Sequence, residues 1–210
     1  MTAEPLVEVL IRPGSLHAVF QPVFALGGDR GVRFVEGLTR GPRGTNVEAA
    51  GVLFEYARRK CIAVELDRIC VRGILEALGR PPAAIGVSLN VHAATLEHDR
   101  GFPDLLLRLA EANQIDAARL IVEIVEHAPA HSGDGFLAAL VNLRAHGISI
   151  ALDDIGSGQS SYSLLLDTNP EYFKIDRHLV QGCHTDLRRQ AVLDSIRGLA
   201  RMFSAQVVAE

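Results

Sequence analysis

Residues 147–158 read Gly147-Ile148-Ser149-Ile150-Ala151-Leu152-Asp153-Asp154-Ile155-Gly156-Ser157-Gly158. The apolar run, opened by a glycine, reads as a buried strand. Two adjacent carboxylates close it. They repel each other and are costly to desolvate, and a fold keeps them readily when something positive lies between them. A divalent metal, or a pair of metals, is the obvious candidate. The glycines that follow permit a sharp turn and bring backbone N–H groups close to a ligand. The blander reading is an Asp-Gly turn with two solvated carboxylates. Taken alone, the stretch leaves both open.

Outward from it, strand-like and helix-like segments alternate. Residues 17–26 are strand-like and close in a hairpin-type turn at Gly27-Gly28-Asp29. Residues 31–39 form the next strand, and 47–60 and 64–78 carry helical periodicity. Pro81-Pro82 breaks the chain before a strand at 84–91, followed by a helix at 102–113 and a strand at 120–126. A helix at 135–146 precedes the strand at 148–153. Then come a short helix at 160–166, a short strand at 172–175, a helix at 186–203 and a final strand at 205–209. Such alternation implies a parallel α/β sheet, either a (β/α) barrel or a doubly wound sheet. No Gly-x-Gly-x-x-Gly follows the first strand, which disfavours a dinucleotide fold. One domain over 15–210, behind a leader at 1–14, is the simplest account.

The 210 residues are 48% hydrophobic and 22% charged with a formal net charge of -4, an ordinary globular composition. No block of like charge suggests a nucleic acid polymer or an anionic membrane as partner. Cys61, Cys70 and Cys183 show neither C-x-x-C spacing nor a nearby histidine pair, which argues against zinc and disulfides and fits a reducing cytoplasm. No signal peptide is expected, and no apolar run approaches the ~20 residues needed to cross a bilayer.

The strand ends carry the chemistry. Glu36 lies on the second strand and Asn90 ends the third. Glu123 and Glu126 lie on the fourth, Asp153 and Asp154 end the fifth, Lys174 lies on the sixth with Asp176 after it, and Glu210 ends the last. One polar residue closing an apolar strand is routine, but an acid, amide or lysine near the end of six strands is hard to assign to chance. In a (β/α) barrel those ends form the active site. Carboxylates with one amide oxygen make a hard donor set that suits Mg²⁺ or Mn²⁺ over Zn²⁺. The blander readings are a salt-bridged Lys174 paired with Asp176 or another acid, a turn-capping Asn90, a solvated Arg40 and an edge-strand Gln21. His92, His127, His131 and His178 read as surface or packing residues.

In order along the chain, several motifs resemble those of the EAL-domain phosphodiesterases, which hydrolyse the bacterial second messenger cyclic di-GMP. They are Gln21-Pro22-Val23, Glu36-Gly37-Leu38-Thr39-Arg40, Ser88-Leu89-Asn90-Val91, Glu123-Ile124-Val125-Glu126, Asp153-Asp154-Ile155-Gly156-Ser157-Gly158, Phe173-Lys174-Ile175-Asp176 and Val207-Val208-Ala209-Glu210. The resemblance implies a TIM-like (β/α) barrel with an antiparallel first strand. It implies a two-metal site of Glu36, Asn90, Glu123 and Asp153, with Asp154 helping to hold the second metal. Lys174 and Glu210 would surround the metals and the attacking water, and Glu126 would brace the Asp-Asp loop. Gln21, Leu38 and Arg40 would contact the nucleotide. The implied product is linear pGpG, the cofactor Mg²⁺ or Mn²⁺ with Ca²⁺ inhibitory, and the assembly a homodimer.

The chain also departs from the pattern. Gly37 replaces the signature alanine and Val125 the usual threonine, and Ile155, Ser157 and Gln159 differ from the common Phe, Thr and Tyr. The last strand and helix of such a barrel are expected to be lacking, which would expose a sheet edge. These departures keep other readings open: a receptor that binds cyclic di-GMP without cleaving it, a protein-interaction module, or an unrelated metal-dependent barrel enzyme.

Overall fold

In the computed structural model, residues 6–12, 14–28, 30–82, 84–125, 133–156 and 162–210 are described. After a short helix α1 (Leu6–Leu10), the strands are β1 (His17–Phe24), β2 (Val32–Arg40), β3 (Gly86–His92), β4 (Leu120–Val125), β5 (Ser149–Ile155), β6 (Tyr172–Ile175) and β7 (Gln206–Ala209). Helices α2 (Ala50–Arg59) and α3 (Ala63–Leu78) link β2 to β3, and α4 (Ala93–His98) and α5 (Phe102–Ala112) link β3 to β4. Helix α6 (Asp134–Ala145) precedes β5, α7 (Tyr162–Thr168) precedes β6, and α8 (Arg177–Val180) and α9 (Leu187–Met202) precede β7. Glu126, His127 and His131, and the loop positions Ser157, Gly158 and Gln159, lie outside the described residues.

The strands form one sheet in chain order, β1 to β7. β1 pairs antiparallel with β2, and every later pair is parallel. The sheet is strongly curled. Phe34 on β2 meets Tyr172 on β6 edge-on with ring centroids 5.7 Å apart. In a flat sheet those strands, four places apart, would be separated by about 19 Å. β1 and β7 are the two margins of the sheet among the described residues, and a cleft of about 960 Å³ runs between them, with Gln21, Phe24, Glu36, Lys174 and Val208 on its walls. This is the expected TIM-like architecture with its antiparallel first strand, seen as a seven-stranded arc.

Side-chain alternation sorts the sheet into two faces. On the outer face, Val87, Leu89 and Val91 of β3 and Val122 and Ile124 of β4 pack under the helices, against Ile74, Leu106, Phe136 and Leu140. On the inner face, Phe34, Ile121 and Ala151 form a smaller apolar layer with Val23, Tyr172 and Val208. A third cluster joins Leu10 of α1 to Leu53 and Ala57 of α2 and Leu66 and Cys70 of α3, so α1 is docked against the barrel wall. No helix among the described residues is long and apolar enough to cross a membrane.

Two helix starts depend on distant residues. Asp67 of α3 is 1% exposed. It accepts from the His92 N–H at 2.9 Å and from the Thr95 hydroxyl at 2.5 Å, tying the start of α4 to α3, and it meets His92 Nδ1 at 2.9 Å. Glu97 of α4 accepts from the Phe136 N–H at 2.7 Å and does the same for α6. By contrast α9 is capped locally, Asp186 accepting from the N–H groups of Arg188 and Arg189.

Candidate functional site

The inner apolar layer is the floor of the site. Two residues further toward the carboxyl end of β2, β4, β5, β6 and β7, the same face changes character. Phe34 is followed by Glu36, Ile121 by Glu123, Ala151 by Asp153, Tyr172 by Lys174 and Val208 by Glu210. The period of two places these side chains on the face of the floor residues, about one strand step (~7 Å) higher. β1 runs the other way, so Gln21 precedes its floor residue Val23, and it lies opposite Glu36 in register. Asn90 lies opposite Glu123 in the β3–β4 pairing. The curl then brings this ring of polar side chains together.

Lys174 is its centre. It is 1% exposed. Nζ lies 2.6 Å from Glu123, 2.7 Å from Glu210, 3.1 Å from Asp153 and 3.3 Å from Glu36. Asn90 Nδ2 donates to the other Glu36 oxygen at 3.0 Å. Burial works against the charge on Lys174, but Glu123, Asp153, Glu36 and Glu210 outweigh it, so its pKa is raised and the ammonium is kept. Glu123 is fully buried. Burial pushes its pKa upward, with Lys174 opposing and Glu36 adding to the rise. Its Oε1 makes no full hydrogen bond, only the Ser88 hydroxyl lying near the carboxylate. Glu210 is likewise raised by burial, with Lys174 opposing.

Asp153 and Asp154 are neighbours in sequence, and plain alternation would put them on opposite faces. The β5–β6 register slips between Leu152 and Ile155, and Asp154 adopts φ +53°. Asp tolerates this left-handed region better than most residues. As a result oxygens of Asp153, Asp154 and Glu210 lie within 4.8 Å of one another. Burial raises the Asp154 pKa, and so do the neighbouring carboxylates of Asp153 and Asp176. Asp176, which the sequence places just after Lys174 without assigning it a site role, therefore lies beside Asp154. It also caps α8, accepting from the His178 N–H at 2.7 Å.

Of the residues expected at the site, Glu36, Asn90, Glu123, Asp153, Asp154, Lys174 and Glu210 are brought together. Gln21 faces Glu36 along the cleft wall. Leu38 and Arg40 continue the inner face of β2 beyond Glu36, and Arg40 Nη1 donates to the Thr39 carbonyl at 3.0 Å. The Lys174–Asp176 pairing considered from sequence is replaced by the four-carboxylate arrangement. His92 is a packing residue, its ring tilted against Phe54 with centroids 5.4 Å apart.

These features define a class: a curled α/β barrel domain whose carboxyl mouth is a ring of acids drawn around one buried lysine. Within that class the chain belongs to the EAL domain family, which matches residues 7–210. The probable cyclic di-GMP phosphodiesterase PdeG of Escherichia coli is 27% identical over 215 residues, covering 100% of this chain and 42% of the relative. The cyclic di-GMP phosphodiesterase TpdA of Vibrio parahaemolyticus is 28% identical over 131 residues, covering 62% of this chain and 22% of the relative. The chain thus spans less than half the length of these curated relatives. Among solved structures, the Bacillus subtilis YkuI protein, with an EAL domain and in complex with c-di-GMP and calcium, is 25% identical with a TM-score of 0.77. That match covers 97% of this chain and 50% of YkuI. Klebsiella pneumoniae BlrP1, in a calcium and c-di-GMP complex, superposes with a TM-score of 0.80 at 22% identity over 94% of this chain and 50% of BlrP1. At that identity the BlrP1 match speaks for the fold alone.

Proposed function

We propose that this chain hydrolyses cyclic di-GMP to linear pGpG with a divalent metal, Mg²⁺ or Mn²⁺, in the cytoplasm. The observation that carries the reading is the convergence of Glu36, Glu123, Asp153 and Glu210 on one point from four strands. The donor set fits a hard cation. It is all oxygen, its acids outnumber its one lysine, and Glu123 Oε1 is buried without a full hydrogen bond. Glu36, Asn90, Glu123 and Asp153 would hold the metal, with Asp154 completing a second position. Bound there, the metal supplies Lewis acidity and lowers the pKa of water toward neutrality.

The chain's own groups supply the rest. Lys174, held charged by its neighbours, would stabilise negative charge developing on a phosphoryl oxygen. Glu210, beside Lys174 and with a raised pKa, would orient the attacking water. Arg40 would meet a phosphate, with Gln21 and Leu38 lining the approach of the nucleotide. Glu126 is proposed to brace the Asp-Asp loop. A second copy of the chain is proposed as partner. Leu137 and Val141 on α6 and Tyr162 and Leu166 on α7 are 39%, 70%, 78% and 70% exposed, apolar surface that a second copy would cover.

The test is chromatography of cyclic di-GMP incubated with the chain and Mn²⁺. The reading expects pGpG, no product with a chelator, and no product from a folded Glu36→Gln variant. Binding of the nucleotide by the unmodified chain without cleavage would assign the receptor reading. Cleavage by Glu36→Gln at the unmodified rate would remove the metal site from the mechanism.

A further inference from the structure

Lys174 occupies the position a cation would take. Its Nζ contacts carboxylates of β2, β4 and β5 and of Glu210, just past β7, at 2.6 to 3.3 Å. The side chain is 1% exposed, and its strand β6 is paired to β5 on one side and β7 on the other. Nζ is thus enclosed by carboxylates on the wall of the cleft. Without it, four acids would face one another, with Glu123 fully buried, an arrangement that strongly destabilises a fold.

We propose that Lys174 is the resident counter-ion of the metal-free cluster: beside Glu210, it holds Glu36, Glu123 and Asp153 in ligand-ready positions and competes with the divalent metal for these three carboxylates. The proposal rests on the metal-site reading given above. The ammonium lends the barrel stability when metal is scarce and weakens metal binding when metal is present, because a single and a double positive charge must share the same oxygens. Their repulsion a few ångström apart in a partly buried site corresponds to about tenfold or more in affinity. Metal affinity and metal-free stability are thus set against each other by one side chain.

The test uses the full chain at one fixed pH. Mn²⁺ affinity is measured by calorimetry, and thermal unfolding is followed with and without Mn²⁺, for the unmodified protein, Lys174→Met and Lys174→Met/Glu123→Gln. Lys174→Met is expected to lower the metal-free Tm, to bind Mn²⁺ about tenfold or more tighter, and to show a larger rise in Tm on adding Mn²⁺. The double variant, which removes one charge of each sign, should recover part of the metal-free Tm. If Lys174→Met does not fold without metal, Mn²⁺ should fold it, as read by circular dichroism. A Lys174→Met chain that binds Mn²⁺ no more tightly than the unmodified protein, keeps the metal-free Tm, or stays unfolded at every Mn²⁺ concentration overturns the proposal. Absence of Mn²⁺ binding by the unmodified chain would overturn the metal-site reading instead, so the two failures are told apart.

Discussion

Replacing Gly37 by alanine, the residue of the family signature, should destabilise this chain. Gly37 follows Glu36 on β2 and faces α3. A methyl group there would meet Ile74 Cγ2 at 2.3 Å, Cδ1 at 3.2 Å and Cγ1 at 3.3 Å. Carbon atoms pack at about 3.5–4.0 Å, so the nearest pair must part by more than about 1 Å. Ile74 is 3% exposed, and a β-branched side chain in a helix has one strongly preferred rotamer. Overpacking of this kind costs about 1–3 kcal/mol. The reduced freedom of the unfolded chain offsets about 0.4–1 kcal/mol. The midpoints of these ranges, about 2 and about 0.7 kcal/mol, leave a net destabilisation of about 1.3 kcal/mol, or roughly 3–5 °C in Tm for a chain of 210 residues. Urea unfolding of Gly37→Ala, Ile74→Ala and the double variant measures it. Ile74→Ala alone should cost about 2–5 kcal/mol through its cavity. The double variant should be about 1–3 kcal/mol more stable than the sum of the singles, because the new methyl enters the vacated space. A Gly37→Ala chain as stable as the original, with additive singles, would refute the packing argument.

Four further outcomes are expected. Asp67→Ala leaves the His92 N–H and the Thr95 hydroxyl without their acceptor, and urea unfolding should show a loss of about 2–5 kcal/mol. Burial lowers the His92 pKa but Asp67 more than offsets it, so the folded value is raised. The pair's contribution is then complete below about pH 6.5 and is lost as pH rises through the higher folded value, so unfolding between pH 5.5 and 9 should show a decline that His92→Asn abolishes. Glu97→Ala removes the acceptor at the start of α6 and should cost about 0.5–2 kcal/mol by the same unfolding assay, and an unchanged midpoint would contradict that role. Excess Ca²⁺ should inhibit pGpG formation in Mn²⁺, because it accepts looser geometry and more ligands, and undiminished turnover would count against a shared site.

The polar ring was legible because it obeys the strand period: an apolar floor residue and, two positions on, a polar one. That is why Glu36, Glu123, Asp153, Lys174 and Glu210 could be picked out from strand ends alone. The sequence offers Lys174 either Asp176 or another acid and does not say which, since Asp176 is near in sequence but caps α8, whereas Glu123 and Glu36 arrive only when the sheet curls. The slip at Asp154 was hidden for a related reason. A left-handed aspartate leaves no signature that distinguishes it from one in a regular strand, so β5 was expected to end at Asp153 and instead runs to Ile155. Helix α4 is not legible because its start has no side-chain cap and is tied instead, through the His92 N–H, to Asp67 on α3, 25 positions earlier. Helix α9, with Asp186 at its own start, is legible in the sequence nearly to its ends.

Anomalous diffraction from crystals of the chain grown with Mn²⁺ tests the central claim most directly. The account predicts manganese peaks at the carboxyl mouth, with oxygens of Glu36, Asn90, Glu123 and Asp153 as ligands. Manganese bound elsewhere, or no peak beside these four residues at saturating Mn²⁺, would contradict it.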